Sequence, residues 1–393
     1  MRSERRHSAT PHNRAPGPAE RDGGSGDGRE TRWKVSAFAP GRVNLIGEHT
    51  DYNRGLALPF AIAEGVTVSA RAAAGQQIRA HALDLDERDE FALPEPPHSE
   101  GWRAFLRGIA AELPRAGVAL GGAELEISGE VPRGAGLSSS AALEVSLGLA
   151  LLGLGGAELD RRALAKLCSR VENEWVGAHT GLLDQLASLF GEANTALCID
   201  FSTLDIQPVP LVLAGGWQLV TLDSGDHRAL AASGYNERRA ECARACELLG
   251  VSSLREVGVG GPGRPPGALD PLLAGDFSLE EMVRLPAVLV RRVMHVLGEN
   301  ARVLATVSAL RERDLPRVGA LLDTSHASLR DLYECSTPSV EATVERLKDA
   351  GAVGARMVGG GFGGHVLGLF PPGTSPPDGT HEVRPSAGAR LLD

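Results

Sequence analysis

Four charged or titratable side chains fall within ten residues of one another near the start of the chain: Arg42, Glu48, His49 and Asp51. The apolar residues Val43, Leu45 and Ile46 predict a buried strand among them, which Gly47 ends. Vicinal hydroxyls of a small ligand need acceptors and donors in fixed positions, and carboxylates are the strongest acceptors. The stretch therefore suits recognition of a small polyhydroxylated molecule, although Glu-His-Thr-Asp alone also fits a charged hairpin turn.

A glycine- and serine-rich loop at 131–140 opens a predicted helix that continues to Leu154. The start of a helix presents unpaired backbone N–H groups and the positive end of the helix dipole, where phosphate binds without a lysine. The hydroxyls of Ser138, Ser139 and Ser140 can add hydrogen bonds, and one of them can bind Mg²⁺. The pattern indicates a phosphate loop, with a serine N-cap on an ordinary buried helix as the alternative.

The lysines exclude two large classes of nucleotide-binding protein. The chain contains only Lys34, Lys166 and Lys348, and none of them follows a glycine loop. A Walker loop needs Gly-Lys-Ser/Thr, and a protein kinase needs a strand lysine. If the protein binds a nucleotide, then backbone amides, serines and arginines must hold the phosphates.

A carboxylate at Asp184 begins another predicted helix. Residues 161–176 have helical spacing, Gly177 and Gly181 interrupt it, and 182–190 resume it. The helix dipole keeps a carboxylate in the first turn ionised, and an ionised aspartate facing a hydroxyl can accept its proton during phosphoryl transfer. Taken singly, Asp184 also fits an ordinary helix-start residue.

A glycine run interrupted by Phe362 occupies 359–364, between a predicted helix and a predicted strand. It is not a dinucleotide-binding fingerprint, because no helix follows it before Pro371-Pro372. The run fits either a tight turn or a close approach of backbone to a ligand or a phosphate loop.

Net charge and cysteine content limit the classes of partner and the cellular compartment that fit this sequence. A formal charge of −10 argues against nucleic acid or an anionic membrane as the main partner. The five cysteines lack the spacing of a disulfide scaffold or a zinc site. No apolar run reaches membrane length, and the first thirty residues lack the apolar region of a signal peptide. We therefore expect a cytoplasmic protein without nucleic-acid or membrane partners.

The remaining pattern predicts a mixed α+β chain. Residues 1–30 are poor in apolar side chains and predict a disordered tail. Strands are predicted at 123–128, 196–201, 217–222 and 366–370, and helices at 287–311, 315–333 and 339–350. Pro208, Pro210 and Gly215-Gly216 suggest a domain crossing, and 258–267 suggests a mobile loop.

Together these segments resemble the GHMP small-molecule kinases and, within them, the galactokinase family. The resemblance rests on 41–53, 132–142, 181–185, 233–242, 325–331 and 356–364, in the family's order. It implies a two-domain α+β fold, with an N-terminal S5-like α/β domain (31–210), a C-terminal ferredoxin-like domain (211–393) and the active site between them. It also implies a monomer that transfers the γ-phosphoryl group of ATP to the anomeric hydroxyl of galactose.

The resemblance assigns a role to individual residues. Asp184 would be the catalytic base, and Arg42 would stabilise the transition state. The sugar would lie among Glu48, His49, Thr50, Asp51, Gly181 and Tyr235. The ATP phosphates would bind Gly134, Ala135, Gly136, Leu137, Ser138, Ser139 and Ser140. Mg²⁺ would bind Ser140 and Glu172.

Two other functions fit the same resemblance. One is a kinase for N-acetylgalactosamine or another monosaccharide. The other is a non-catalytic sensor that binds galactose and ATP, but such sensors are damaged in the serine loop. Here Ser138-Ser139-Ser140-Ala141 is intact and both Arg42 and Asp184 are present, which favours an enzyme.

Overall fold

Strands from both ends of the chain build three sheets. The computed structural model describes residues 35–131, 136–178, 180–226, 231–258 and 284–392, with side chains from Gly234 onward in the fourth range. The strands within these ranges are β1 (Val35–Asn44), β2 (Leu56–Ala57), β3 (Pro59–Ala72), β4 (Gln77–Ala82), β5 (Glu87–Ala92), β6 (Ala123–Gly129), β7 (Thr195–Asp200), β8 (Asp205–Pro210), β9 (Gln218–Asp223), β10 (Gly354–Met357), β11 (His365–Phe370), β12 (His381–Glu382) and β13 (Arg390–Leu392).

The largest sheet has six strands in the order β13-β1-β3-β6-β4-β5, and only its β4–β6 pair is parallel. A second sheet has the order β10-β11-β9-β12 and is antiparallel throughout. The third joins β2, β7 and β8. The last strand, β13, returns to pair with the first, so the two ends of the described fold meet in one sheet.

Helices cover these sheets. Those in the described ranges are α1 (Trp102–Arg115), α2 (Ser139–Gly155), α3 (Arg161–Arg170), α4 (Leu183–Phe190), α5 (Ala231–Leu249), α6 (Ala287–Glu312), α7 (Leu315–Asp331) and α8 (Pro338–Asp349). None of them combines the length and the apolar character that a membrane crossing needs, within the residues that were described.

Helix α2 lies at the centre of the first core. Its residues are apolar on nearly every side, as expected for a helix that is covered all round. It packs on β1 and β3 and is enclosed by α1, α3 and α4. Leu147, Leu151 and Val145 are buried in the same cluster as Val68 of the sheet. This packing holds α2 against β1 and β3.

An irregularity in β1 positions the first predicted site residue. The pairing of β1 with β3 shifts register between Pro40 and Arg42. A Cβ at Gly41 would stand 2.5 Å from the Leu137 carbonyl oxygen, so only glycine allows the loop before α2 to approach the strand. That carbonyl accepts a hydrogen bond from the Arg42 N–H at 3.0 Å. The strand and the loop are therefore joined at Arg42.

Most predicted elements are present with shifts of one or two residues at their ends, and two differ in kind. Strand β8 contains Pro208, which had suggested a domain crossing. It lies at the edge of its sheet, where a missing N–H is tolerated. The helix predicted over 161–176 ends at Arg170 and continues as a π-helical turn, Val171–Val176. Such turns occur often at functional sites.

Several predictions fall outside the described residues. These are the tail at 1–30, most of the loop at 258–267, and the phosphate-loop residues Gly134 and Ala135. The domain boundary after residue 210 stays a prediction. The second hydrophobic cluster includes residues from both sides of that boundary, such as Leu45, Val209, Leu310 and Leu369.

Candidate active site

A cavity of about 270 Å³ lies where the turn after β1, the start of α2, the start of α4 and the β10–β11 loop meet. It is lined by residues from segments far apart in the sequence: Arg42, Glu48, His49, Asp51, Gly136, Ser138, Ser139, Ser140, Glu172, Ala178, Thr180, Gly181, Leu183, Asp184, Tyr235, Gly359, Gly360 and Gly361. Twelve of the predicted site residues thus surround one space.

Arg42 and Asp184 form a bidentate ion pair in this cavity. Arg42 Nε donates to Asp184 Oδ1 at 2.7 Å, and Nη2 donates to Oδ2 at 2.8 Å. The remaining guanidinium nitrogen, Nη1, donates to the Gly136 carbonyl at 2.5 Å. Arg42 is buried, whereas the Asp184 side chain keeps 24% of its surface exposed. The planar fork of arginine therefore fixes the carboxylate while leaving it accessible.

The loop before α2 also contacts Asp184. Ser138 adopts the left-handed conformation, with φ of 59°, and its hydroxyl donates to Asp184 Oδ2. The helix that begins at Ser139 therefore has its first N–H groups beside the cavity. Asp184 lies in the first turn of α4, as predicted. The starts of two helices thus point at one place, which favours negative charge there.

Glu172 lies on the π-helical turn and accepts three hydrogen bonds. Ser140 Oγ donates to Oε1 at 3.1 Å, and Thr180 Oγ1 and Gln185 Nε2 donate to Oε2 at 2.5 Å and 2.9 Å. Burial raises the pKa of Glu172, and the nearby carboxylate of Asp184 adds to that effect. The Glu172 carboxylate and the Ser140 hydroxyl are thus adjacent, as expected for two oxygen ligands of one hard cation.

Asp51 and Tyr235 contribute another wall. The Asp51 carboxylate rests against Gly181, where no Cβ would fit. The pKa of Asp51 is raised to about 6, chiefly by burial; the neighbouring Asp184 and Glu48 contribute to the rise, and a backbone hydrogen bond from Tyr52 opposes it. A carboxylate at the edge of water is costly to leave unpaired, so Asp51 is suited to accept hydrogen bonds from ligand hydroxyls.

Glu48 and His49 join the turn after β1 to the β10–β11 loop. Glu48 Oε1 accepts from the Gly359 N–H at 2.8 Å and lies 3.2 Å from Nη2 of the buried Arg356. His49 Nε2 lies 3.2 Å from the Gly360 carbonyl oxygen. The glycine run is therefore a hairpin loop whose backbone bonds to the cavity wall, which is the close approach that its composition suggested.

Two predicted ligand-binding residues have side chains outside this cavity. Thr50 is fully buried, and its hydroxyl contacts the Gly47 and Leu56 carbonyl oxygens at 2.8 Å and 2.7 Å, so it closes the turn. Leu137 is buried in the second hydrophobic cluster, and only its backbone reaches Arg42. Both therefore support the site through the backbone that they hold.

Sequence reasoning did not single out several residues that hold the site. Arg356 is fully buried and donates to the Asn44 and Leu45 carbonyl oxygens at 3.0 Å and 2.9 Å. Glu299 of α6 accepts from the Gly47 N–H at 3.0 Å. Arg356 lies in β10, at the start of the segment 356–364 that carries the resemblance, but its buried side chain had no predicted role. Glu299 has no local signal, because it reads as one more acid on a long helix.

A second, larger cavity of about 570 Å³ adjoins the first at Ser139 and Ser140. Trp102, Phe105 and Leu143 contribute to its walls. It is a cleft with aromatic and aliphatic side chains at one end and the start of α2 at the other. Such a cleft suits a flat apolar group that continues into a phosphate chain.

Comparison with known proteins identifies the family. The galactokinase galactose-binding signature matches residues 28–72, and the GHMP kinase N-terminal and C-terminal families match 104–192 and 306–385. The galactokinase of Lactococcus lactis, solved with galactose, is 32% identical over 91% of this chain and 95% of its own, with a TM-score of 0.79. The chain belongs to the galactokinase family. It is an enzyme of the GHMP kinase type, with the two-domain α+β fold of that group.

More distant GHMP kinases share the fold alone. The mevalonate kinase of Methanococcus jannaschii is 16% identical over 91% of this chain and all of its own, with a TM-score of 0.56. The D-glycero-D-manno-heptose 1-phosphate kinase of Bacteroides thetaiotaomicron is 14% identical over 91% of this chain and 99% of its own, with a TM-score of 0.59. GHMP kinases use ATP as phosphate donor, generally with Mg²⁺. The family therefore makes this protein a sugar kinase.

Proposed function

We propose that the protein transfers the γ-phosphoryl group of ATP to the anomeric hydroxyl of D-galactose, giving galactose 1-phosphate and ADP. The observation that carries the proposal is the bidentate Arg42–Asp184 pair beside Glu48, His49 and Asp51. One cavity thus combines a proton acceptor, a fixed cation and several acceptors for hydroxyl groups. The galactose-bound relative from Lactococcus lactis supports the choice of sugar.

In this proposal, Asp184 takes the proton of the anomeric hydroxyl as that oxygen attacks the γ-phosphorus. Arg42 holds the carboxylate in place and lies close enough to stabilise the charge that spreads over the phosphoryl oxygens. Asp51 and Glu48 accept hydrogen bonds from the other sugar hydroxyls. Because phosphoryl transfer needs little covalent chemistry from the protein, positioning and electrostatics supply most of the acceleration.

ATP would occupy both cavities. Its phosphates would bind the start of α2 at Ser138, Ser139 and Ser140, where N–H groups and hydroxyls replace the lysine of a Walker loop. Its nucleobase would lie in the adjoining cleft beside Trp102 and Phe105, because an aromatic and aliphatic wall suits a flat ring. This arrangement explains how a chain with three lysines can be a kinase.

Ser140 and Glu172 fit a Mg²⁺ ion that arrives with ATP. Their oxygens lie 3.1 Å apart, and Mg²⁺ prefers one or two protein oxygens together with phosphates and water. In the described part of the chain, His, Cys, Asp and Glu side chains form no group of three or more able to hold a metal by themselves. When bound, the ion would neutralise charge on the β- and γ-phosphates.

A substrate panel tests the proposal. Purified protein is incubated with ATP, Mg²⁺ and one free sugar at a time: galactose, glucose, N-acetylgalactosamine or none. We expect rapid ADP formation with galactose alone. Glucose differs from galactose in the direction of one hydroxyl, and a site built from directional acceptors rejects such an epimer. Equal rates with glucose, or faster rates with N-acetylgalactosamine, would show that galactose is not the preferred substrate. No turnover with any sugar would favour a sensor.

A further inference from the structure

All three tyrosines of the chain lie in one aromatic cluster beside His49. The His49 ring centroid is 4.5 Å from that of Tyr333, 5.4 Å from Tyr235 and 5.9 Å from Tyr52. Tyr333 is fully buried and stands two residues after α7, whereas Tyr52 lies in the turn after β1. A chain with so few tyrosines therefore gathers all of them around one histidine, and Tyr235 and His49 line the cavity itself.

A line of hydrogen bonds runs through this cluster. His49 Nδ1 lies 2.8 Å from the Tyr52 hydroxyl, which lies 2.7 Å from the Tyr333 hydroxyl. The Tyr333 hydroxyl lies 3.1 Å from Cys242 Sγ on α5. At the other end, His49 Nε2 meets the Gly360 carbonyl. The line thus crosses from α5 to the β10–β11 loop through His49.

The acceptors fix the direction of these bonds. A carbonyl oxygen can only accept, so His49 Nε2 carries the hydrogen. Burial lowers the pKa of His49 to about 3, and the imidazole is therefore neutral with a free electron pair on Nδ1. Tyr52 must then donate to Nδ1. The arrangement that satisfies every hydroxyl has Tyr333 donating to Tyr52 and the Cys242 thiol donating to Tyr333.

His49 needs such support because its backbone is strained. Its φ is +60°, in the left-handed region that non-glycine residues rarely adopt. Residues in such conformations persist only where their surroundings hold them. The Asn53 side chain donates to the His49 carbonyl at 2.8 Å, which fixes the backbone, but only Tyr52 and Gly360 hold the ring nitrogens among the described residues.

We propose that Tyr52 and Tyr333 are positioning residues that hold His49 as the Nε2–H tautomer, so that the turn 47–53 and the β10–β11 loop form one preassembled sugar-binding wall. Neither ring nitrogen is then available to a sugar unless it exchanges a protein partner. His49 contributes shape and its link to Gly360, whereas Asp51 beside it supplies the direct acceptor. The proposal rests on the proposed function in taking this wall to be the sugar site.

Two measurements on conservative variants test this line of hydrogen bonds. Tyr52→Phe and Tyr333→Phe each remove one hydroxyl and keep the ring. Thr343→Val is the matched control, because it removes a buried hydroxyl from α8, away from the cavity. The first measurement is steady-state kinetics with galactose and ATP varied separately. The second is the NMR spectrum of protein with ¹⁵N-labelled histidine, recorded without ligands. The His49 resonances are assigned as those that are missing from the spectrum of His49→Gln.

We expect Tyr52→Phe to raise the galactose KM about five- to fifty-fold, the effect of leaving one buried acceptor unpaired. The ATP KM should change less than about two-fold, since Tyr52 makes no hydrogen bond to the proposed phosphate-binding residues Ser138, Ser139 and Ser140. The His49 Nδ1 resonance should shift while Nε2 stays protonated. Tyr333→Phe should shift the same resonance in the same direction by less, because Tyr52 still donates. Thr343→Val should leave both readouts unchanged.

Other results would overturn the proposal. An Nδ1–H tautomer of His49 in the parent protein would contradict the direction of donation along the line of hydrogen bonds. An unchanged Nδ1 resonance in Tyr52→Phe, or equal changes in the galactose and ATP KM values, would reduce the tyrosines to ordinary core residues. If Tyr52→Phe does not fold, Tyr333→Phe decides by the same resonance. Because the spectrum needs no sugar, failure of the parent to phosphorylate galactose would refute the proposed function and leave this test intact.

Discussion

Asp51 and Gly181 touch so closely that a methyl group at position 181 would overlap the Asp51 carboxylate. The two residues are 130 positions apart in the sequence. The contact brings the turn after β1 against the start of α4, and so sets the distance between Asp51 and Asp184. In the proposed function, a sugar bound between the two carboxylates would depend on that spacing.

Gly181→Ala tests this contact. The backbone of Gly181 is outside the left-handed region, so alanine is allowed there and acts only by displacing Asp51. We predict a rise of at least about ten-fold in the galactose KM, corresponding to one lost hydrogen bond to a charged group, and little change in the ATP KM. Gly121→Ala is the control, because a Cβ at Gly121 meets open space. Equal kinetics for the two variants would remove Asp51 from the sugar site.

Asp184→Asn tests the catalytic base. The amide keeps the size of the side chain and loses the proton acceptor, so we predict a fall in kcat of at least about a hundred-fold. Asp89→Asn provides a matched control. Asp89 forms a bidentate pair with Arg107 at 2.9 Å and 2.6 Å, away from the cavity, and its variant should lose stability while keeping kcat. A kcat for Asp184→Asn within a few-fold of the parent would contradict the assignment.

Gly136→Val tests the phosphate loop. Gly136 has φ of +71° and its carbonyl accepts from Arg42, so a β-branched side chain strains the loop at the cavity. Calorimetry should show a greater loss of affinity for ATP than for galactose. Gly75→Val is the control. Gly75 has φ of +85°, so valine imposes a similar strain there, but no atom lies within 4 Å of a Cβ added at this position. Equal losses for both ligands in Gly136→Val, absent in Gly75→Val, would point to a distorted cavity rather than to a phosphate loop.

The pH dependence of sugar binding should follow Asp51. Its pKa of about 6 in the folded protein means that the acceptor is lost as pH falls below 6, so the galactose KM should rise there. The pKa is above the ordinary value of 3.8, and the unfolded chain therefore releases this proton first. The free energy of unfolding contributed by Asp51 must then fall as pH rises from about 4 to 6.

Asp51→Asn should remove both effects. Thermal unfolding of the parent and the variant, measured at several pH values, should show the variant gaining stability relative to the parent as pH rises through this window. A constant difference between the two proteins would mean that Asp51 does not titrate there. The comparison with the variant cancels the opposing contributions of His49 and His295, whose pKa values burial lowers to about 3 and about 4.

The sequence predicted the local parts of the site better than the contacts between them. Asp184 in the first turn of α4 follows from helical spacing after Gly181, and the helix after Ser138 follows from its apolar run. The predicted role of Thr50 at the sugar depended on its place in the segment. Its hydroxyl instead bonds backbone inside the turn, and spacing alone does not show which side a turn residue faces.

Long-range partners had no signal in the sequence. Arg356 reaches Glu48 across about three hundred residues, and Tyr333 meets Tyr52 across a similar distance. Such pairs result from the packing of α6, α7 and the second sheet, which no local pattern encodes. The same limit applies to β8, which was not predicted as a strand because an edge position that tolerates Pro208 depends on its pairing with β7.

The identity of the reaction product tests the central claim most directly. Galactose labelled with ¹³C at C1 is incubated with the protein, ATP and Mg²⁺, and the product is examined by ³¹P and ¹³C NMR. The account predicts a single phosphate ester on C1, formed with galactose and not with glucose under the same conditions. Phosphate on another carbon, equal phosphorylation of glucose, or no ester with either sugar would contradict it.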